Sequence, residues 1–158
     1  EYSKDFFASL EERLIGYEKD PVGAWLAQTM VDAALLSHIQ NHGAPLPALI
    51  RCCNTLDQKT EPKFDLAIGN PPFGRVKLDA TRRARFRRSL SGHANLYGLF
   101  FDQALRTIGQ NGVMCFATPP SFLSGHYFRR LRSLLHREIP PRRICFFFFF
   151  FFFFFFFF

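Results

Sequence analysis

The sequence has little of what small metal-bound, secreted or membrane domains are built from. Its four cysteines form no Cys-x-x-Cys pair, and no histidine stands at zinc-ligand spacing from them, so no metal site is expected. Cys52, Cys53 and Cys115 lie in apolar runs and read as reduced core residues of a cytosolic, cytoplasmic protein. No secretory signal pattern is visible in the residues from Glu1 onward. No apolar stretch reaches the roughly 20 residues of a membrane span. Internal repeats are absent, and the apolar content excludes a disordered chain, a collagen and a membrane protein.

The longest apolar run is itself an anomaly. Phe146 to Phe158 are all phenylalanine, thirteen of the chain's 23. The run is too short for a span and lacks anchor residues. It reads as a homopolymer tract translated at the end of a sequence read, and is set aside from fold reasoning. Residues 1–145 then form one partial domain and 146–158 a tail.

Acidic residues are scarce relative to basic ones, 13 against 20, for a net charge of +7. The excess is local. Arg75, Lys77, Arg82, Arg83, Arg85, Arg87 and Arg88 fall in one short segment whose only acid is Asp79. Such a cluster on a nearly neutral body suggests a polyanion partner; a solvated basic loop is the plain alternative.

Periodicity predicts a helix over Tyr2–Arg13 and a short strand over Leu14–Glu18. Asp20-Pro21 is a helix start, Asp as N-cap and Pro at the first helical position. That helix runs through Trp25, Leu26, Met30, Ala33 and Leu36 and stops near Asn41-His42-Gly43. Trp25 lies on its apolar stripe and reads as core. Strands are predicted at Ala48–Cys53, Phe64–Gly69, Val113–Ala117 and from Arg142 to Cys145. Helices are predicted at Leu96–Ile108, with Leu96, Leu99, Phe100, Ala104 and Leu105 inward, and from Ser121 to about Arg137. Asn111-Gly112 is a turn. Strands alternating with amphipathic helices argue for an α/β fold with a mostly parallel sheet. In such sheets ligands bind beyond the carboxyl ends of the strands, where Glu18, the residues after Cys53, and Asn70 fall.

Asn70-Pro71-Pro72-Phe73 carries the chemistry. Each proline fixes φ, removes an N–H and restrains its predecessor. The result is a stiff loop with carbonyls, one carboxamide and an aromatic face. It suits a planar group bearing two N–H donors: the Asn70 side-chain oxygen and the Pro71 carbonyl accept them while Phe73 stacks on the ring. Accepting both hydrogens raises electron density on the amino nitrogen and favours its attack on an electrophilic methyl. A strand-terminating turn is the plain alternative. His93, His126 and His136 have no partner pattern and read as surface or capping residues.

Phe64 to Phe73 resembles the catalytic motif of N6-adenine DNA methyltransferases. Asn95-Leu-Tyr-Gly-Leu-Phe, Asn111-Gly-Val-Met-Cys-Phe-Ala-Thr-Pro-Pro-Ser-Phe-Leu and Phe128-Arg-Arg-Leu-Arg resemble the TaqI-like branch of restriction–modification enzymes. Ile15-Gly-Tyr-Glu-Lys-Asp-Pro is similar to that family's acidic motif. The likeness spans roughly residues 14 to 145.

The resemblance implies a Rossmann-like class I S-adenosylmethionine-dependent methyltransferase fold, truncated at both ends. It implies S-adenosylmethionine as cofactor and double-stranded DNA as substrate, with methyl transfer to adenine N6 by base flipping. Glu18 would accept the cofactor's ribose hydroxyls. Asn54-Thr55 sits where the family usually places an Asp for the cofactor adenine, and Asp57 is a shifted substitute. Asn70, Pro71, Pro72 and Phe73 match the catalytic positions, and Asn70 also borders the cofactor. The basic segment would hold DNA phosphates. A restriction endonuclease or specificity module would be a partner. The Gly-rich cofactor loop and the DNA-recognition domain are expected outside these residues, so the chain alone is expected to be inactive. Two other readings stay open: a methyltransferase acting on RNA bases or on protein glutamine amides, and an inactive nucleic-acid-binding remnant.

Overall fold

Asp20 starts the first long helix as expected. Its Oδ1 accepts the Gly23 N–H at 2.7 Å, and Pro21 occupies the first turn. The computed structural model describes residues 9–43, 45–59, 64–147 and 152–157 (for 143–147 and 152–157 the backbone only). They fall into two compact units, Glu1–Gln58 and Lys59–Phe158.

In the first unit, the described part of helix α1 covers 9–13; residues 2–8 of the expected helix lie outside the described residues. Strand β1 (Gly16–Glu18) leads into α2 (Pro21–Ala34) and α3 (Leu36–His42), then β2 (Ile50–Cys52) and a 3-10 turn (Thr55–Asp57). The single expected helix is thus two, broken at Leu35 and ended by Gly43 at a left-handed φ of 65°. β1 and β2 pair in parallel, Glu18 opposite Cys52. Their connection is a helical crossover, the unit from which parallel sheets are made.

The face of α2 that packs inward is not the expected one. Trp25 is 67% exposed, with Leu26 and Met30 also on the surface, while Ala24 is buried. Trp25 as core is therefore corrected. The cause is Gln28, one turn after Ala24. Its Oε1 accepts the N–H groups of Leu49 (2.9 Å) and Ile50 (3.1 Å), and its Nε2 donates to the Pro47 carbonyl. A small residue and a carboxamide bring the helix to the strand, and the bulky stripe turns away. Cys52 is likewise exposed and Cys53 half-buried, so the core reading fails for Cys52. The small core of this unit is Leu10, Ala24, Leu49 and Leu56.

The second unit holds β3 (Phe64–Gly69), β4 (Arg75–Val76), α4 (Ala80–Arg85), β5 (Ala94–Asn95), α5 (Leu96–Thr107), β6 (Ile108–Thr118), α6 (Ser121–Ser124), a 3-10 turn (His126–Phe128), α7 (Arg129–Glu138), β7 (Pro141–Phe147) and β8 (Phe152–Phe157). The sheet order is β3-β6-β8-β7. β3 and β6 run parallel, with Gly69 opposite Phe116. β8 is antiparallel to both neighbours. The Asn111-Gly112 turn survives inside β6. Asn111 has φ 65°, and the register jumps from Phe64↔Ile108 to Leu66↔Val113, so the residues between bulge out.

The expected helix from Ser121 to Arg137 is three pieces, because Gly125 is extended (φ −60°, ψ 136°). The core lies where α5 and α7 cover β6: Tyr97, Phe101, Ala104, Met114, Phe116, Phe122, Leu131 and Leu135. Leu99 and Ala104 are buried as expected, but Phe101 is fully buried and Phe100 only partly, so at this pair the expected order is reversed. The helix is packed on more than one side, so a single stripe does not describe it. The phenylalanine tail, set aside from the sequence, supplies β8. Identical β-prone residues satisfy open backbone pairs without needing a specified register.

Gln28→Ala leaves the N–H groups of Leu49 and Ile50, at the entry to β2, without their acceptor. The expected loss is about 1–3 kcal/mol of stability, read as a lower midpoint in urea unfolding followed by far-UV circular dichroism.

Candidate functional site at the strand carboxyl ends

The loop Asn70–Phe73 leaves the carboxyl end of β3. Pro71 is buried and anchors it, while Asn70, Pro72 and Phe73 are exposed. The Asn70 carboxamide makes no hydrogen bond among the described residues. Gly74 ends the loop at φ 117°, a conformation closed to L side chains. Its carbonyl accepts the Leu96 N–H at 2.9 Å, and β4 pairs antiparallel with β5 directly afterwards. The loop is therefore clamped at both ends by backbone bonds.

Phe73 stands edge-on to Tyr97, with ring centroids 6.3 Å apart at 83°. Tyr97 is 1% exposed and stacks on Phe128 at 5.1 Å. Its hydroxyl bonds Ser121 Oγ at 2.7 Å. Burial pushes the Tyr97 phenol up to about 12, against the downward pull of the Ser121 bond. Sequence reasoning placed Tyr97 within a motif without a role. The structure makes it the support beneath Phe73, and Tyr97 with Ser121 at helical and loop starts was the available signal. Among the described residues two buried side-chain polar atoms have no partner, Asn95 Oδ1 and Thr118 Oγ1. Asn95 thus starts α5 without the expected side-chain cap.

In the first unit, Glu18 ends β1 and Asn54 follows β2, so both stand at carboxyl ends of paired parallel strands. Glu18 Oε1 accepts the Asp20 N–H at 2.8 Å, leaving Oε2 without a partner among the described residues. Asn54 caps the 3-10 turn. Its Oδ1 takes the Leu56 N–H at 3.1 Å and its Nδ2 donates to Asp57 Oδ2 at 2.9 Å. Thr55 begins that turn and is half-buried. Burial, with Cys52 beside it, pushes the Cys53 thiol up, and burial does the same at Cys115.

The basic segment divides in two. Three guanidinium groups are spent on the protein itself: Arg83 on the Gly92 carbonyl (3.1 Å), Arg85 on Gln103 (3.0 Å), Arg88 on Asp102 (2.7 Å). Asp102 is fully buried, and also takes Arg106 Nε at 2.8 Å and Ser89 Oγ at 2.6 Å. Arg88 reaches on to Glu138 at 3.2 Å. Arg75, Lys77 and Arg87 are exposed and hold no partner among the described residues, and Arg82 is exposed on α4. His93, His126 and His136 are exposed, as expected.

The family described as Eco57I restriction-modification methylase matches residues 25–150. This chain belongs to that family. Its similarity to curated type II methyltransferases is 35% identity over 86 residues with M.TthHB8I of Thermus thermophilus, covering 48% of this chain and 20% of that protein. With M.BsuBI of Bacillus subtilis it is 32% over 77 residues, 49% and 15%. With M.PstI of Providencia stuartii it is 29% over 89 residues, 56% and 18%. The chain thus spans a fifth or less of these relatives' length. Its fold is that of the class I S-adenosylmethionine-dependent methyltransferases. A putative member from Listeria monocytogenes superposes with TM-score 0.67 at 16% identity, over 92% of this chain and 44% of that one. Among the described residues no helix is long and apolar enough to cross a membrane.

Tyr97→Phe is expected to remove the phenol raised to about 12 from an ultraviolet titration, while Phe128 stacking is kept. Asp102→Ala strands two arginines and Ser89, and is expected to cost about 3–5 kcal/mol in urea unfolding.

Proposed function

We propose that the chain is part of an S-adenosylmethionine-dependent methyltransferase that acts on the N6 amino group of adenine in DNA, within a restriction–modification system. The carrying observation is the clamped loop after β3. An exposed, unpartnered carboxamide at Asn70 stands three residues from an exposed ring, Phe73, that is backed by Tyr97. The loop can be stiff because Pro71 is buried and Gly74 is tied to α5.

A flipped adenine would stack on Phe73. Asn70 Oδ1 and the Pro71 carbonyl would accept its two amino hydrogens, so the nitrogen lone pair is turned toward an incoming methyl. S-adenosylmethionine, when bound, supplies that methyl on a sulfonium centre. The donor set suits it. Glu18 keeps one carboxylate oxygen open at the end of β1, where it would accept ribose hydroxyls. Asn54 Oδ1 already takes one N–H and would offer its second lone pair to the cofactor adenine. Thr55 would border the same group. The amino proton would leave to solvent after transfer. Arg75, Lys77, Arg82 and Arg87 would meet phosphates, whereas Arg83, Arg85 and Arg88 would mainly hold the scaffold. A restriction endonuclease or specificity module is the expected protein partner.

Asn70→Ala in the full-length polypeptide is expected to abolish incorporation of labelled methyl into DNA while leaving S-adenosylmethionine binding nearly intact by calorimetry. Wild-type turnover in that variant would sink the assignment. Competition with RNA and protein substrates in the same assay fixes the substrate class.

A further inference from the structure

Arg130, Ser133, Leu134 and Arg137 recur on α7 at intervals of three and four, so they share one helix face. Opposite stands the end of the basic segment, Arg87 and Arg88. These six residues line an open cleft of about 400 Å³, with buried Leu134 at its floor.

Four guanidinium groups meet there with few carboxylates to balance them. Asp102 and Glu138 engage Arg88, and Glu138 lies 3.5 Å from Arg137. Arg130 has no carboxylate partner among the described residues. Its Nη1 donates to the carbonyls of Arg87 (3.3 Å) and Leu90 (3.1 Å), which aims the group without neutralising it. The Arg87 guanidinium and the Ser133 hydroxyl have no partner among the described residues. Converging cations in a concave site raise the local potential for an anion. Guanidinium forks match phosphate oxygens in pairs.

Arg130 and Arg137 are seven residues apart, about 10 Å along the helix axis. Arg87, Arg130 and Arg137, set against Glu138 alone, leave more positive charge than one diester phosphate neutralises, so the cleft suits a chain of anions. In sequence, Arg75 and Lys77, just after the loop, are exposed and without a side-chain partner among the described residues, as is Arg87 of the cleft wall.

We propose that this cleft binds the phosphate backbone of DNA outside the Asn70 loop, with Arg87, Arg130 and Arg137 as the contacting groups. The inference rests on the reading of DNA as substrate. It adds α7 to the DNA-contacting surface.

The test uses the whole chain and a fluorescein-labelled duplex of mixed sequence, with anisotropy read across a sodium chloride series. The double variant Arg87→Gln, Arg137→Gln leaves Arg130 and its carbonyl bonds in place. It is expected to weaken binding equally for unrelated sequences and to reduce the slope of log K against log salt by about one to two. An unchanged slope in a variant that melts like wild type overturns the proposal; so does a wild-type chain that binds no duplex. If the double variant fails to fold, Arg87→Gln alone carries the same readout, with a slope change of about one. Pyrophosphate or polyglutamate binding that depends on these arginines, without any change in the DNA slope, also overturns it, in favour of a small-anion site or an acidic protein segment. Methyl transfer by the full-length polypeptide is measured in parallel. Transfer with an unchanged slope condemns the cleft alone. A changed slope without transfer condemns the adenine-methylation reading and leaves the cleft standing.

Discussion

A single buried carboxylate holds the second unit in order. Asp102 sits in the middle of α5 and takes Arg88 and Arg106 on one oxygen and Ser89 on the other. A buried charge is costly unless each lone pair is met. Meeting it fixes the turn at 86–90 against α5, and Arg88 carries the constraint on to Glu138 at the end of α7. Arg106 then reaches the Arg85 carbonyl at 2.8 Å, closing the circuit on the last residue of α4. The most cationic stretch of the chain is thus ordered by an acid supplied from elsewhere.

The loop after β3 depends on this frame indirectly. Its Phe73 rests on Tyr97, which lies on the same helix as Asp102 and is pinned by Ser121 and Phe128. Helix α5 therefore serves two tasks from one rigid body. Its first turn backs the aromatic face of the loop, and its middle anchors the basic segment. Rigid backing matters because a stacking ring that moves by a fraction of an ångström loses the geometry it offers a substrate.

Much of this was legible in the sequence, and the failures have identifiable causes. Phe64–Gly69, the Asp20-Pro21 start and the Asn111-Gly112 turn rest on local chemistry, and local chemistry decided them. Trp25 failed because an apolar stripe says which residues are alike and not which face packs. Gln28 decided the face through its bonds to Leu49 and to Ile50 of β2, and a carboxamide at a helix interior gives no such notice. The basic segment read as one patch because charge is visible in sequence and pairing is not. Asp102 lies 14 residues from Arg88, and Glu138 lies 50 away. The loop at Asn70 was legible since two consecutive prolines fix backbone whatever surrounds them. Its support by Tyr97 was not, because contact between distant rings leaves no spacing to read.

β8 shows what a strand is when it carries pairing energy without an address. Each of its described residues is phenylalanine, and it bonds β6 on one side and β7 on the other. Sliding it by one place exchanges its faces for identical ones, so neither neighbour can tell one alignment from the next. Heteropolymer strands spell their position through the order of large and small, wet and dry. A strand that spells one letter holds the sheet together but stores no information about where it belongs, so its placement must be dictated by whatever limits its two ends.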